Sequence, residues 1–289
     1  MAIKVTKFGG SSLASAEQIR KMKQIIDADE ARKFVVPSAP GKRFKEDTKV
    51  TDMLYALYDA ALHMEETEKI YAAIVKRYTD IRDELGLSIK IEDYLEKIYK
   101  DVRTGANEDY AASRGEFLNG LLIADFLGYD FIDAADVIFF DESGGYDAKK
   151  TLSILPGALK LHERAVVPGF YGSMPNGKIK TFSRGGSDIT GSIVARAAGA
   201  DLYENWTDVS GFFACDPRIV PSAKCIKELS YQELRELSYM GANVLHSDSI
   251  FSVKAAGIPI RIRNTFRPQD EGTLIVDSDV RNPEGNVVT

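Results

Sequence analysis

The 289-residue chain contains little of what builds a metal centre or a disulfide framework. It has two cysteines, Cys215 and Cys225, with nine residues between them. Zinc sites use more closely spaced pairs, and disulfide scaffolds use more thiols. The three histidines, His63, His162 and His246, have no spacing typical of a zinc site or a catalytic triad. These scarcities argue against a zinc protein, a disulfide-stabilised protein and a histidine-based hydrolase.

The chain also lacks long apolar runs and an excess of positive charge. No run of 18 apolar residues occurs, and the N-terminal segment has no basic region followed by an apolar one. The sequence therefore predicts no membrane span and no signal peptide, and by default a cytoplasmic protein. A net charge of −6 argues against broad binding to nucleic acids or anionic membranes, which needs a positive surface.

Strand and helix patterns alternate along most of the chain. Strands are predicted at 3–7, 33–37, 137–140 and 202–205, and the segment 51–103 is predicted to be mostly helical. Further helices are predicted at 116–127 and 188–198. This alternation is typical of an α/β fold with a largely parallel sheet.

The first motif with chemical meaning is Lys7-Phe8-Gly9-Gly10-Ser11-Ser12, between a predicted strand and a predicted helix. Glycines let a backbone approach phosphate oxygens, and amides at a helix start donate hydrogen bonds to them. Lys7 adds a positive charge where a transferred phosphoryl group would pass. The alternative is a tight turn with a surface lysine. The motif is neither a Walker loop nor a dinucleotide fingerprint.

A second glycine-rich turn, Arg184-Gly185-Gly186-Ser187-Asp188, opens the helix that ends near residue 198. Ser187 and Asp188 are common cap and first-turn residues, which is a purely structural explanation. That explanation leaves Arg184 unaccounted for, and an arginine fork matches a carboxylate bidentately. Together the two turns favour an anion-binding function.

Three weaker signals remain. Trp206, in the stretch before Thr207 and Asp208, is either the wall of a nucleotide pocket or a core aromatic. Glu116, in Ser-Arg-Gly-Glu, is predicted at a helix start, where the helix dipole alone would favour it. Ser38 ends the second predicted strand and Thr51 opens the next predicted helix. Hydroxyl groups at such positions commonly face a ligand in α/β folds. The alternative for Thr51 is a purely structural role as an N-cap.

The ordered motifs resemble the aspartokinase family over essentially the whole chain. They are KFGGSS, SRGE, FSRGGSDIT, WTDV with DPR after it, GANVLH and IRNTF. The resemblance implies an amino-acid-kinase fold, a three-layer sandwich whose central, mainly parallel sheet has about eight strands. It also implies ATP-dependent phosphorylation of the side-chain carboxylate of L-aspartate, with Mg²⁺. Such a nucleophile is already ionised at pH 7 and needs no strong base, so little histidine is required.

The resemblance implies roles for single residues. Lys7 would stabilise the transferred phosphoryl group and Asp188 would orient groups around it. The implied nucleotide-binding residues are Lys7, Gly9, Gly10, Ser11, Ser38, Thr207, Asp208, Asp216 and Arg218. The implied substrate-binding residues are Arg184 for the α-carboxylate, Glu116 for the ammonium group, Thr51 for the reactive end, and Ser187. No metal ligands are assigned.

The chain departs from the family pattern at two places. Asn243 and Ser247 stand where the family often has lysine and proline, so a cation near the ATP phosphates is missing. The loop 41–49 is longer than in many members of the family. We hypothesise that its basic residues replace the missing cation near the ATP phosphates. Residues 1–289 are expected to form one catalytic domain without regulatory ACT domains, insensitive to lysine and threonine, with any homodimer weakened.

Two other functional classes stay open at this point. One is another kinase of the same fold, acting on glutamate, N-acetylglutamate, carbamate or UMP. The other is a non-enzymatic sensor of amino acids or nucleotides, although a sensor would not need Lys7 and Asp188.

Overall fold

Eight strands form one twisted sheet at the centre of the molecule, in the order β3-β4-β2-β1-β7-β9-β10-β8. The computed structural model describes residues 2–183, 185–215, 219–220, 222–239, 245 and 247–277. The sheet strands are β1 Lys4–Phe8, β2 Arg32–Pro37, β3 Asp130–Phe131, β4 Ala165–Val166, β7 Leu202–Thr207, β8 Glu228–Ser230, β9 Ile260–Asn264 and β10 Thr273–Val276. A separate hairpin pairs β5 (Tyr171–Ser173) with β6 (Ile179–Thr181).

Helices cover both faces of this sheet. They are α1 Ala16–Asp27, α2 Val50–Leu62, α3 Glu68–Leu85, α4 Ile91–Arg103, α5 Glu108–Leu127, α6 Ala134–Val137, α7 Ala148–Lys160, α8 Gly186–Ala198, α9 Tyr231–Tyr239 and α10 Phe251–Lys254. Two 3₁₀ helices, Gly10–Leu13 and Ser247–Ile250, complete the set in the described residues. None of the helices described is both long enough and apolar enough to cross a bilayer.

The pairing of the strands confirms the predicted sandwich. Six of the seven strand pairs in the sheet are parallel, and only β9 and β10 run antiparallel. Phe8 and Val35 pack in one core with the helices from α1 to α5, whereas Val5 and Val36 pack in the other core with α7 and α8. Parallel strands covered on both faces read as near-continuous apolar runs, as in the segment 34–36.

Helix α5 begins eight residues before the predicted start at Glu116, so that prediction was wrong. Asn107 caps the helix, and its side chain accepts a hydrogen bond from the Tyr110 amide. Glu116 therefore lies in the middle of a helix with thirteen buried residues, far from the dipole's positive end. Its surroundings there are the protein interior rather than a helix terminus.

The strand predicted at 137–140 was also wrong. Asp133 accepts a hydrogen bond from the Ala135 amide and starts the short helix α6. Phe139 and Phe140 then make only isolated bridges, to Ser173 and Tyr146. Helix α6 thus takes only the first residue of the predicted strand, and Phe139 and Phe140 form bridges without a continuous ladder.

A buried ion pair ties β2 to β7 across the central strand β1. Arg32 donates Nε to Glu204 Oε2 at 2.7 Å and Nη2 to Oε1 at 3.1 Å, and the two side chains are 7% and 1% exposed. Trp206 donates Nε1 to the same carboxylate at 3.0 Å and stacks on Phe8. Because Trp206 is 1% exposed, it packs as a core aromatic.

Replacing Arg32 by methionine is expected to lower the free energy of unfolding by about 3–5 kcal/mol, because Glu204 is left buried without its counter-charge. Urea denaturation measures the change. Removing both charges, in Arg32→Met/Glu204→Leu, is expected to restore part of the loss. Lys76→Met, which breaks an exposed helical pair with Asp80, is the control and should cost less than about 1 kcal/mol. Equal losses in the two single variants would contradict the expectation.

Candidate active site

A cleft of about 600 Å³ lies where the carboxyl ends of β1, β2 and β7 meet. Ligands of open α/β sheets bind at this edge, beside the ends of adjacent strands. The cleft is lined by Gly9, Gly10, Ser11, Ser38, Ala39, Pro40, Gly41, Lys42, Phe44, Lys45, Lys49, Thr51, Glu116, Thr207 and Asp208. Eight of the residues predicted from the sequence to bind substrate or nucleotide are in this set.

The turn after β1 forms one wall of the cleft. Gly9 donates its amide to the Trp206 carbonyl at 3.0 Å, and the chain then enters the 3₁₀ helix at Gly10. A β-carbon on Gly10 would lie 2.8 Å from the Ala39 carbonyl oxygen, closer than two such atoms can approach. Glycine is therefore required at position 10, because another stretch of backbone packs directly against the turn.

Lys7 and Asp188 form an ion pair directly beside this turn. Lys7 Nζ lies 2.7 Å from Asp188 Oδ1, and the two side chains are 9% and 16% exposed. Asn205, opposite Lys7 in the register of β1 and β7, donates Nδ2 to the same oxygen at 2.7 Å. A β-carbon on Gly9 would lie 3.6 Å from Lys7 Nζ. Lys7 is therefore a held cation next to the glycine turn, and the surface-lysine alternative was wrong.

Glu116 places a buried carboxyl group in the same cleft. The residue is 5% exposed, and Oε2 has no hydrogen-bond partner among the described residues. Burial raises the pKa of Glu116 to about 8, against the opposing effects of the Ala39 amide and its own amide and of the charges of Arg114 and Lys7. A cation that binds beside Glu116 would therefore strongly favour the ionised form of its carboxyl group.

The remaining predicted residues of the cleft stand at element ends. Ser38 follows β2, and its carbonyl accepts a hydrogen bond from Asn119 Nδ2 at 2.7 Å. Thr51 is in the first turn of α2, which begins one residue earlier, so it is not an N-cap. Thr207 ends β7 and donates Oγ1 to the Asp208 carboxylate at 3.2 Å.

Other predicted residues do not line the cleft or cannot be located. Ser187 is 8% exposed in the first turn of α8, one residue from Asp188, and packs against Gly169. Arg184, Asp216, Arg218 and Asn243 lie outside the described residues, so the roles expected of the first three stay predictions.

Sequence reasoning missed the residues that hold the site in place. Asn119 stands outside the motifs, and Asn205 begins the Trp206 motif but was assigned no role. A polar residue inside a buried element generally has a hydrogen-bonding reason to be there. Lys42, Lys45 and Lys49 are exposed on the predicted surface loop, and they also line the cleft. Their spacing alone does not say which way a loop folds.

The donor groups of the cleft fit a magnesium ion that arrives with a nucleotide. The described part of the chain has no cluster of three or more histidine, cysteine, aspartate or glutamate side chains that could hold a metal alone. Magnesium is usually bound through one or two carboxylates together with substrate phosphates, keeping several waters. Asp208 supplies one such carboxylate at the cleft wall.

A mainly parallel sheet with a lysine-bearing glycine turn at its carboxyl edge is the arrangement of a phosphate-binding α/β protein. Residues 2–264 match the model of the amino acid kinase family, and the chain belongs to that family.

Within that family, the chain is similar to aspartokinases. It is 41% identical to aspartokinase 3 of Bacillus subtilis, over 99% of this chain and 66% of that protein. It superposes on the aspartate kinase of Clostridium acetobutylicum with a TM-score of 0.93, at 52% identity, over 98% of this chain and 64% of that one. The structure of E. coli aspartokinase III in complex with aspartate and ADP superposes with a TM-score of 0.83. The identity is 26%, over 95% of this chain and 64% of that one. The chain thus spans about two thirds of these relatives.

Replacing Glu116 by glutamine is expected to make the stability of the protein less dependent on pH. The folded state holds the Glu116 proton more tightly than the unfolded state, whose pKa is near the ordinary 4.5. The stabilisation from that proton is full below about pH 4.5 and is lost as the pH rises through about 8. Glu116→Gln should therefore gain stability relative to the native protein between pH 5 and 8.

Urea denaturation at several pH values measures this difference. Glu142→Gln, which removes an exposed glutamate, is the matched control. It should change the free energy of unfolding by the same amount at every pH. A change that is also independent of pH for Glu116→Gln would contradict the raised pKa.

Proposed function

We propose that the chain transfers the γ-phosphoryl group of ATP to the side-chain carboxylate of L-aspartate, forming ADP and 4-phospho-L-aspartate. This is the first step of lysine, threonine and methionine biosynthesis. The observation that carries the proposal is the cleft itself: Lys7 is held beside the glycine turn that lines it, and Glu116 places a buried carboxyl group on its wall. The named activity of the relatives, aspartate kinase, supports it.

The nucleotide would bind with its phosphates on the glycine turn. The amides of Gly10 and Ser11 open a short helical turn and are suited to hydrogen-bond phosphate oxygens. Thr207 and Asp208 line the cleft at the end of β7, with Asp216 and Arg218 expected further along the chain. Magnesium, held through Asp208 and the phosphates, would neutralise charge on the nucleotide.

The amino group of aspartate would bind Glu116. An ammonium ion supplies the cation and the hydrogen bond that Oε2 lacks, and it favours the ionised carboxylate despite its burial. Arg184 would hold the α-carboxylate, with Thr51 and Ser187 near the side chain. This arrangement favours a free amino acid over N-acetylglutamate, carbamate or UMP, which have no primary ammonium group.

The reaction needs positioning and charge rather than a base. An oxygen of the aspartate side chain attacks the γ-phosphorus, the bond from phosphorus to the bridging oxygen breaks, and ADP leaves with that electron pair. The Lys7 ammonium stabilises the negative charge on the transferred group. Asp188 and Asn205 act as positioning residues, because they fix that ammonium at the turn.

Lys7→Ala is expected to lower kcat by about 10²–10³-fold, because one preorganised charge at the transferred group is lost. Trapping the acyl phosphate with hydroxylamine in the presence of aspartate and Mg-ATP measures the rate. Aspartate binding, measured by calorimetry, should stay nearly unchanged. Lys4→Ala, which removes a lysine of the same strand that pairs with Asp29, should keep its activity. Full activity in Lys7→Ala would count heavily against the assignment.

Substrates without the ammonium group should react poorly. Succinate and N-acetylglutamate are expected to give kcat/KM values at least about 100-fold below that of aspartate, because Glu116 is then left buried without a partner. The same trap assay, run over a panel with glutamate included, measures the ratios. A panel that reacts uniformly, or that prefers N-acetylglutamate, would point to a different acid kinase.

A further inference from the structure

The loop 41–49, which joins β2 to α2, carries three lysines that line the cleft: Lys42, Lys45 and Lys49. None of them forms an ion pair within the described part of the chain. Lys42 makes only a long contact, 3.5 Å, with the Lys45 carbonyl. The one arginine of the loop, Arg43, is used internally by Asp47 at 2.8 Å. Three exposed lysines without an ion-pair partner among the described residues therefore line the same cleft as the glycine turn.

The loop is held in this position by a buried arginine from α3. Arg77 is 3% exposed and donates Nη2 to the Asp47 carboxylate at 2.7 Å. It also donates to the carbonyls of Gly41 at 2.9 Å and Thr48 at 3.2 Å, near the two ends of the loop. Hydrogen bonds from Arg43, with further help from Arg77, hold the pKa of Asp47 well below its usual range, so this anchor is ionised at neutral pH.

The start of the loop is also fixed against the glycine turn itself. Gly41 donates its amide to the Gly10 carbonyl at 2.8 Å, and a β-carbon on Gly41 would lie 2.6 Å from the Gly10 carbonyl carbon. Backbone contact this close fixes the start of the loop beside the turn. The backbone that carries the lysines is therefore anchored before any ligand binds.

We propose that Lys42, Lys45 and Lys49, carried on an anchored loop beside the glycine turn, form a clamp for the nucleotide polyphosphate. This inference rests on the proposed function for its choice of nucleotide. Several positive charges on one anchored loop suit a chain of negatively charged phosphates. The ammonium group of an amino acid would instead be repelled by these lysines, and Glu116 is already available to bind it. Because the loop backbone is anchored in advance, mainly the lysine side chains lose conformational freedom on binding. The clamp thus sets the affinity for ATP rather than for aspartate.

The triple variant Lys42→Ala/Lys45→Ala/Lys49→Ala tests the clamp. Its KM for Mg-ATP is expected to rise at least about tenfold, since three ionic contacts are removed together. Its KM for aspartate should change less than about twofold. Calorimetric titration with Mg-ATP, and with inorganic tripolyphosphate, in the absence of aspartate should show the same loss. The native affinity should also fall with added KCl more steeply than that of the variant.

A matched control removes three exposed lysines that do not line the cleft, in Lys149→Ala/Lys160→Ala/Lys178→Ala. It changes the net charge equally and should leave both KM values as in the native protein. Arg77→Lys keeps a charge near Asp47 but loses the fork that reaches Gly41 and Thr48. As a change to a positioning residue, it should raise the KM for Mg-ATP and leave kcat nearly unchanged.

The outcomes separate this inference from the proposed function. Native-like binding of Mg-ATP and tripolyphosphate by the cleft triple variant, with aspartate still phosphorylated, would overturn the clamp alone. A rise in the KM for aspartate instead of ATP would also overturn it. Lysine-dependent binding of tripolyphosphate by a native protein that forms no aspartyl phosphate would support the clamp and reject the proposed function.

Discussion

The candidate site depends on the ion pair between Lys7 and Asp188. Lys7 lies on a central strand of the sheet, and its side chain is only 9% exposed. Burying an ammonium group there without a close partner would cost folding free energy. Asp188 supplies that partner from the first turn of α8, and Asn205 holds the carboxylate from the neighbouring strand. The pair therefore couples a strand, a helix start and a second strand at one point. Any group that reaches the glycine turn meets a cation whose position is already set.

Charge in the cleft is divided between two regions. Positive groups stand at the glycine turn and on the loop that carries Lys42, Lys45 and Lys49, whereas Glu116 places one buried carboxyl group on another wall. The carboxyl group has a raised pKa because it is buried and lacks a full set of partners. Such a division suits two ligands of different charge that must meet, a polyphosphate and an amino acid. It also explains why the site needs no histidine, since neither ligand has to lose a proton.

Several features of the site could be predicted because they follow from local backbone requirements. Gly9 and Gly10 mark a strand end at which the backbone must approach something closely, and Gly10 does so against Ala39. Strand ends such as Ser38 and Thr207 meet because parallel strands finish at one edge of a sheet. Glu116 shows the limit of this reasoning. Its neighbours in sequence resemble a helix start, while the cap that begins the helix, Asn107, stands outside that motif.

The sequence by itself determined the family, the α/β class and most of the residue types at the cleft, because glycine turns, caps and apolar periodicity are encoded over a few neighbouring positions. Only the tertiary structure decided that Asp188 neutralises Lys7, that Glu116 is buried with a raised pKa, and that Arg77 anchors Asp47. These properties depend on distances and burial among groups 30 to 181 residues apart. Coulomb energies and desolvation follow separation in space, which spacing along the chain does not specify.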